Sequence, residues 1–294
     1  MNVPTIRIAT RGSAQAVTQA EHVADLVRRE GFVAELVLID TQGDRTQATN
    51  VPLHTIGGQG VFVKEVQLSV LDGRADVAVH SAKDLPTTAH EGLVIGAYTE
   101  RRSAADALIG RSLVDLSAGA VVATGSVRRQ AQLHRARPDL EFVELRGNIH
   151  TRLGKVPVGG AVVMAVAALE VLGLTEHIAE TLDPAEFVPA VGQGCVAVEY
   201  RRGDRRSLDV LEEIDDRPTR ADVSVERAFL AELGSGCSLP VGAHVDAGKL
   251  YTFLAGERSG IIVSDTIELS GDLDADLATA AGAARSAHEH VTEG

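Results

Sequence analysis

Five short segments hold the side chains best suited to chemistry. RIATRGS (7–13) carries Arg11 and Ser13, HSAKDLP (80–86) carries Lys83 and Asp84, and TGSVRRQAQL (124–133) carries Ser126, Arg128 and Arg129. LRGNIHTRL (145–153) adds Arg146 and Arg152, and GSGCSLPVG (234–242) places Cys237 between glycines and a proline. A guanidinium binds carboxylate at two points and keeps its charge, so arginines gathered at turns describe a site for a ligand with many carboxylates. Asp84 can hydrogen-bond a ring N–H, stabilise positive charge developing on that ring, or pass a proton to a leaving amine. The thiol of Cys237, in a tightly turned loop, can form a thioether with an electrophile held nearby. Each feature alone also fits a plain structural role: a helix cap with surface arginines, a surface loop, a buried small hydrophobe. Two similar turns followed by Arg146 and Arg152 favour a shared anion site.

The elements that must position these residues can be read from periodicity. TIRIAT is strand-like, and Ala16, Val17, Ala20, Val23, Ala24 and Val27 form a helical stripe that Ser13 caps and Gly31 ends. VAELVLID (33–40) and DVAVH (76–80) read as strands, with a helix around Phe62–Leu71 between them, so the first 97 residues predict a parallel α/β sheet. A second unit begins near Arg101: AVVAT (120–124), EFVELR (141–146) and AVVMAV (161–166) are strands and Val127–Arg137 a helix. The junctions IATRGSAQAVTQA and VATGSVRRQAQLH echo one another, each passing from Ala-Thr through Gly-Ser into a helix with Gln-Ala. Two similar lobes would give such an echo. Past Arg217-Pro218 the pattern changes to a helix over Pro218–Leu233, strands through 241–246, 249–256 and 261–268, and an Ala-rich helix over Asp272–His290, a small α+β unit.

Composition bounds the alternatives. The 294 residues suffice for two or three domains, and with 3% aromatics and no Trp the cores must be aliphatic. No apolar run is long enough to span a bilayer and the start does not read as a signal peptide, so a cytoplasmic protein without membrane contact is expected. A net charge of −13 argues against nucleic acid as a partner. Yet Glu100–Lys155 holds ten Lys and Arg against six acids, while 156–200 has six acids and no Lys or Arg. That distribution suits a confined site for a small anion. The ten histidines show no metal-ligand spacing, and two cysteines are too few for a structural zinc or a disulfide framework, so no metal is expected. Cys195 reads as a core strand residue. GGQGVF (57–62) lacks the phosphate-loop lysine and reads as a mobile loop.

Together with QGD (42–44), IGGQGVFVKE (56–65) and PAVGQG (189–194), these segments closely resemble the porphobilinogen deaminase (hydroxymethylbilane synthase) family over nearly the whole chain. The resemblance implies an α/β fold in which two type 2 periplasmic-binding-protein-like α/β domains flank a cleft, joined to a small α+β C-terminal domain. The implied domains are 1–97 completed by 194–213, then 98–193, then 216–294. It implies a monomeric transferase that builds a dipyrromethane cofactor on Cys237. The enzyme condenses four porphobilinogen molecules head to tail, releasing ammonia each time and finally hydroxymethylbilane, in tetrapyrrole biosynthesis. Asp84 matches the catalytic aspartate, which stabilises the azafulvene cation and the pyrrole nitrogens. Lys83, Asp84, Ser126, Arg128 and Arg129 match cofactor-binding positions, and Arg11, Ser13, Arg146 and Arg152 substrate-binding ones. Three departures stand out: Val171 where the family usually has arginine, Gln59 where many members have lysine, and a shortened KVPVGGAVVM (155–164) without its customary acid. A non-elongating paralogue or an anion-binding protein of the same fold is the alternative reading.

Overall fold

The computed structural model describes residues 4–41, 63–234, 239–256 and 259–293. The chain divides into two compact units, Met1–Arg102 with Cys195–Arg220 and Ser103–Gly194 with Ala221–Gly294. The first contains β1 (Thr5–Arg11), α1 (Ala14–Arg29), β2 (Val33–Ile39), α2 (Lys64–Leu71), β3 (Val77–Ser81) and β4 (Leu93–Tyr98). It is completed late in the chain by β10 (Val196–Arg201) and α6 (Arg205–Ile214).

The sheet order is β2-β1-β3-β10-β4. Alternation along β1 sends Ile6 and Ile8 to one face, where they pack with Ala20, Val23, Ala24 and Val27 of α1 and Val210, Leu211 and Ile214 of α6. Ala9 faces the other side, among Val66 and Val70 of α2 with Ile39, Ala78 and Leu93. The expected stripe on α1 is therefore the buried one, apart from the half-exposed Ala16 and Val17 at its start. The expectation of a parallel sheet holds for β1 with β2 and β3, but β10 runs antiparallel to both β3 and β4. That insertion comes from a segment far along the chain and leaves no mark on the first 97 residues.

The second unit repeats this plan. Its strands are β5 (Asp106–Ile109), β6 (Val121–Ala123), β7 (Glu141–Val143), β8 (Ala161–Ala165) and β9 (Ile178–Thr181). Their order is β7-β6-β8-β5-β9. The helices are α3 (Val127–Ala136), α4 (Ile149–Leu153) and α5 (Val166–Leu172). As β1 lies parallel between β2 and β3, so β6 lies parallel between β7 and β8, and β5 is the antiparallel insert corresponding to β10. The two echoing junctions follow β1 and β6, the equivalent strands. β8 is buried along its whole length because both faces are covered: Ala161 and Val163 pack with Leu108, Val122 and Leu133, and Val162 and Met164 with Ile109, Ala123 and Leu145. The strand expected over 141–146 stops at Val143, whose carbonyl takes the Thr124 N–H at 2.9 Å. Beyond it the chain leaves the sheet toward Gly147, at a φ of 117° that disfavours other residues.

Helix α7 (Arg217–Glu232) crosses the division after Arg220. The antiparallel sheet β11 (Val241–Asp246), β12 (Lys249–Ala255) and β13 (Ile262–Glu268) and the helix α8 (Leu273–Glu293) follow. Val225 and Phe229 of α7 meet Ala243, Leu250, Ala280 and Ala284 in one aliphatic core. Among the described residues no helix is long and apolar enough to cross a membrane.

Candidate active site

In the first unit the candidate residues gather at the carboxyl edge of parallel strands, where open α/β sheets place their ligands. Arg11 is the last residue of β1 and half-buried, and Ser13 caps α1 by accepting the Ala16 N–H at 3.3 Å. The register Ala9↔Ala78, continued along both strands, sets Arg11 level with His80, just before the turn that holds Lys83 and Asp84. That turn is one 3-10 turn, Ala82–Asp84, pinned between the buried side chains of Ala82 and Leu85. Its backbone is fixed twice: the Ala82 N–H donates to the Cys195 carbonyl at 2.9 Å, and the Leu85 N–H to the Ala82 carbonyl at 3.2 Å. Between these anchors Lys83 is half-buried and Asp84 exposed. The Ser81 hydroxyl, facing α1, donates to Gln19 at 3.1 Å.

In the second unit the carboxyl ends of β6 and β7 carry the arginines. Ser126 caps α3, accepting the Arg129 N–H at 3.4 Å. Gly125 lets this turn touch the next loop: a Cβ there would lie 2.9 Å from the Leu145 carbonyl. Across that contact Arg146 approaches Glu144 at 3.2 Å, and Arg152 donates to the Gly147 carbonyl at 2.7 Å. Asn148 caps α4 through the Thr151 N–H at 2.9 Å. The free N–H groups of α3, its serine cap and the neighbouring arginines form one anion-attracting edge.

Two residues that the sequence reading did not single out organise this edge. Asp106, 1% exposed at the start of β5, bridges both arginines, accepting from Arg128 Nη2 at 2.8 Å and from Arg129 Nη2 at 2.7 Å. Gln193 donates to the same carboxylate at 2.8 Å and to the Ala104 carbonyl at 2.7 Å. Burial opposes ionisation of Asp106, but the two guanidiniums outweigh it and hold its carboxyl far below the usual carboxylate range. One carboxylate against two guanidiniums leaves a surplus positive charge. The pair also divides its labour. Arg128 is buried, and its terminal nitrogens are committed to Asp106 and to the Val188 carbonyl at 2.6 Å. Arg129, 10% exposed, spends its terminal nitrogens on Asp106 and the Val163 carbonyl and keeps a buried Nε with no hydrogen-bond partner among the described residues. A buried donor left open favours an incoming acceptor. The signal in the sequence was an acid inside the otherwise apolar run AADALIG; Gln193 was legible only as part of PAVGQG.

Val171 lies half-buried in the last turn of α5. Cys195 is buried immediately before β10, as a core position should be. Cys237, Gln59, QGD (42–44) and the loop over 57–62 lie outside the described residues.

Comparison with known proteins gives this edge a context. Among solved structures, the methionine-binding protein MetQ is similar over 74% of this chain and 92% of its own, at 13% identity and a TM-score of 0.44. The porphobilinogen deaminase of Maridesulfovibrio salexigens is 45% identical over 261 residues, 85% of this chain and 84% of that protein. The porphobilinogen deaminase of Mycobacterium marinum is 44% identical over 280 residues, 90% of this chain and 88% of its own. The family model for "Porphobilinogen deaminase, dipyromethane cofactor binding domain" matches residues 6–209, and that for "Porphobilinogen deaminase, C-terminal domain" matches residues 221–274. With both models matched in order and relatives aligned along most of its length, the chain belongs to the porphobilinogen deaminase family.

Proposed function

We propose that the chain condenses four porphobilinogen molecules head to tail on a dipyrromethane primer held by a thioether at Cys237, releasing ammonia at each addition and hydroxymethylbilane at the end. The observation that carries this reading is the arginine edge at the carboxyl ends of β6 and β7, with its open Arg129 Nε at the start of α3. Each porphobilinogen brings an acetate and a propionate, so the growing chain gains two carboxylates per ring, which suits a surplus of guanidinium charge. The residues fit the primer by the same chemistry. Ser126, Arg129 and the N–H groups opening α3 would receive its carboxylates. Arg128, tied to Asp106 and Val188, would hold that receptor in shape. When bound, the primer supplies the nucleophilic pyrrole carbon onto which units are added.

Arg146 and Arg152 take the carboxylates of later rings, and Arg11, Ser13 and Lys83 those near the reacting pyrrole. Asp84, presented outward by its anchored turn, accepts a hydrogen bond from a pyrrole N–H and stabilises the positive charge left when ammonia departs. The proposal includes the division into 1–97 with 194–213, 98–193 and 216–294, and a monomer acting in the cytoplasm.

Intact mass of the purified protein, before and after porphobilinogen, tests the reading. A chain heavier by one dipyrromethane, with a ladder of further pyrroles on substrate, is expected. Asp84→Ala, loaded with the cofactor, is expected to lose turnover; full activity in that variant removes Asp84 from the chemistry. A primer without a ladder identifies a non-elongating relative and directs attention to Val171. An unmodified chain that stays unmodified leaves an anion-binding protein.

A further inference from the structure

One buried polar group in the first unit has no part in this chemistry. The side chains of His80 on β3 and Glu199 on β10 are each 3% exposed, and His80 Nε2 lies 3.2 Å from Glu199 Oε2 without forming a hydrogen bond to it. The same oxygen accepts Gln67 Nε2, from α2, at 2.8 Å. The register Ala197↔His80 puts Glu199 two residues along the partner strand, on the face His80 shares. Three elements thus meet on one carboxylate, and one of them, β3, runs straight into the turn bearing Lys83 and Asp84.

Such a pair is costly as a mere filler. On the face they share, Ala78 and Leu93 with Val66 and Val70 of α2 supply apolar packing, and an apolar pair would join the strands without desolvating a carboxylate. The backbone already zips β3 to β10, from Tyr200↔Val77 to the Ala82–Cys195 hydrogen bond. What the side-chain contact adds is a close polar approach to His80, four residues before Asp84, from a carboxylate that Gln67 ties to the helix beneath.

We propose that His80 and Glu199 are positioning residues that set the Lys83–Asp84 turn for reaction. This rests on the reading of Asp84 as the reacting carboxylate. Displacements of a fraction of an ångström at such a group lower the rate of the chemical step more than they lower substrate affinity.

The test uses the full-length, cofactor-loaded protein carrying Glu199→Gln, His80→Ala, His80→Gln or the pair Glu199→Gln/His80→Ala, with Asp84→Ala in parallel. Expected are an unchanged primed mass, a KM for porphobilinogen within about twofold, and kcat lowered roughly tenfold or more in Glu199→Gln and His80→Ala. His80→Gln, which keeps a donor of similar reach, recovers much of the loss, and the paired variant is no slower than its slower parent. A kcat within about twofold of the unaltered protein in Glu199→Gln overturns the proposal. So does a loss in which His80→Gln fares no better than His80→Ala and the effects simply add. If His80→Ala fails to fold, Glu199→Gln, nearly identical in shape, decides alone. Turnover retained in Asp84→Ala removes the underlying reading instead; an inert Asp84→Ala beside a normal Glu199→Gln removes only the positioning role.

Discussion

At Asp106 a single buried carboxylate faces two guanidiniums, and removing its charge leaves both without a counter-ion. Breaking a buried ion pair from one side typically costs about 3–5 kcal/mol. Asp106→Asn is therefore expected to lower unfolding free energy by about 3 kcal/mol, measured by urea titration. The pH dependence has a definite sign. Asp106 ionises more readily folded than unfolded, where its carboxyl titrates near 3.9, so the stability it contributes is complete above about pH 5 and is lost as pH falls. Between about pH 5 and pH 2 the stability of Asp106→Asn should fall less steeply than that of the unaltered protein. The placing of Arg128 and Arg129 at a helix start was legible in the sequence, because a Gly-Ser turn before a helical stripe marks an N-cap. Their counter-ion was not. A lone acid at a strand start looks the same whether solvated or buried until β8 and α3 are placed around it.

At the scale of the element, caps and close approaches decide how firmly the edge is held. Ser126→Ala removes the acceptor for the Arg129 N–H and is expected to cost about 1 kcal/mol. Gly160 is a harsher case: a Cβ there would run into the carbonyl of Val121 on the parallel neighbour, and backbone cannot step aside as a flexible side chain can. Gly160→Ala should cost more than Ser126→Ala, about 1–3 kcal/mol, with both read from denaturant midpoints. Strand and helix positions followed from periodicity because α1 and β8 bury the residues their patterns mark. The shortening of β7 was hidden, since EFVELR alternates as a strand should and only the contact of Gly125 with Leu145 shows why pairing ends early. The outer edge of β4 was equally silent. There Arg220 donates to the Gly96 carbonyl at 2.8 Å and Asp215 accepts the Tyr98 N–H at 2.8 Å, so side chains occupy an edge that could otherwise pair with another chain.

For the whole molecule the decisive feature is that each five-stranded sheet holds an antiparallel strand in the same place, which the first receives from far along the chain and the second from the start of its own run. The weak echo between the Arg11 and Ser126 junctions pointed to this repeat without revealing it, because topology, not residue identity, is what the two units share. A chain ending at Gly194 lacks the strand that sits between β3 and β4. Such a fragment is expected to leave the amides of β3 and β4 unprotected in hydrogen exchange while those of β6 and β8 stay protected. Protection of β4 in the fragment would contradict the strand order.

The same insertion sets a schedule for synthesis. β4 ends at Tyr98, but its partner β10 begins only at Val196. At roughly 5–20 residues per second, β3 and β4 wait on the order of 5–20 s on the ribosome with facing edges unpaired. The second unit's five-stranded sheet, continuous from Asp106 to Thr181, can close during that interval. The sheet begun first is thus finished after the second unit's five-stranded sheet, and the turn bearing Asp84, the proposed reacting carboxylate, stays exposed to a nascent chain's helpers and hazards meanwhile.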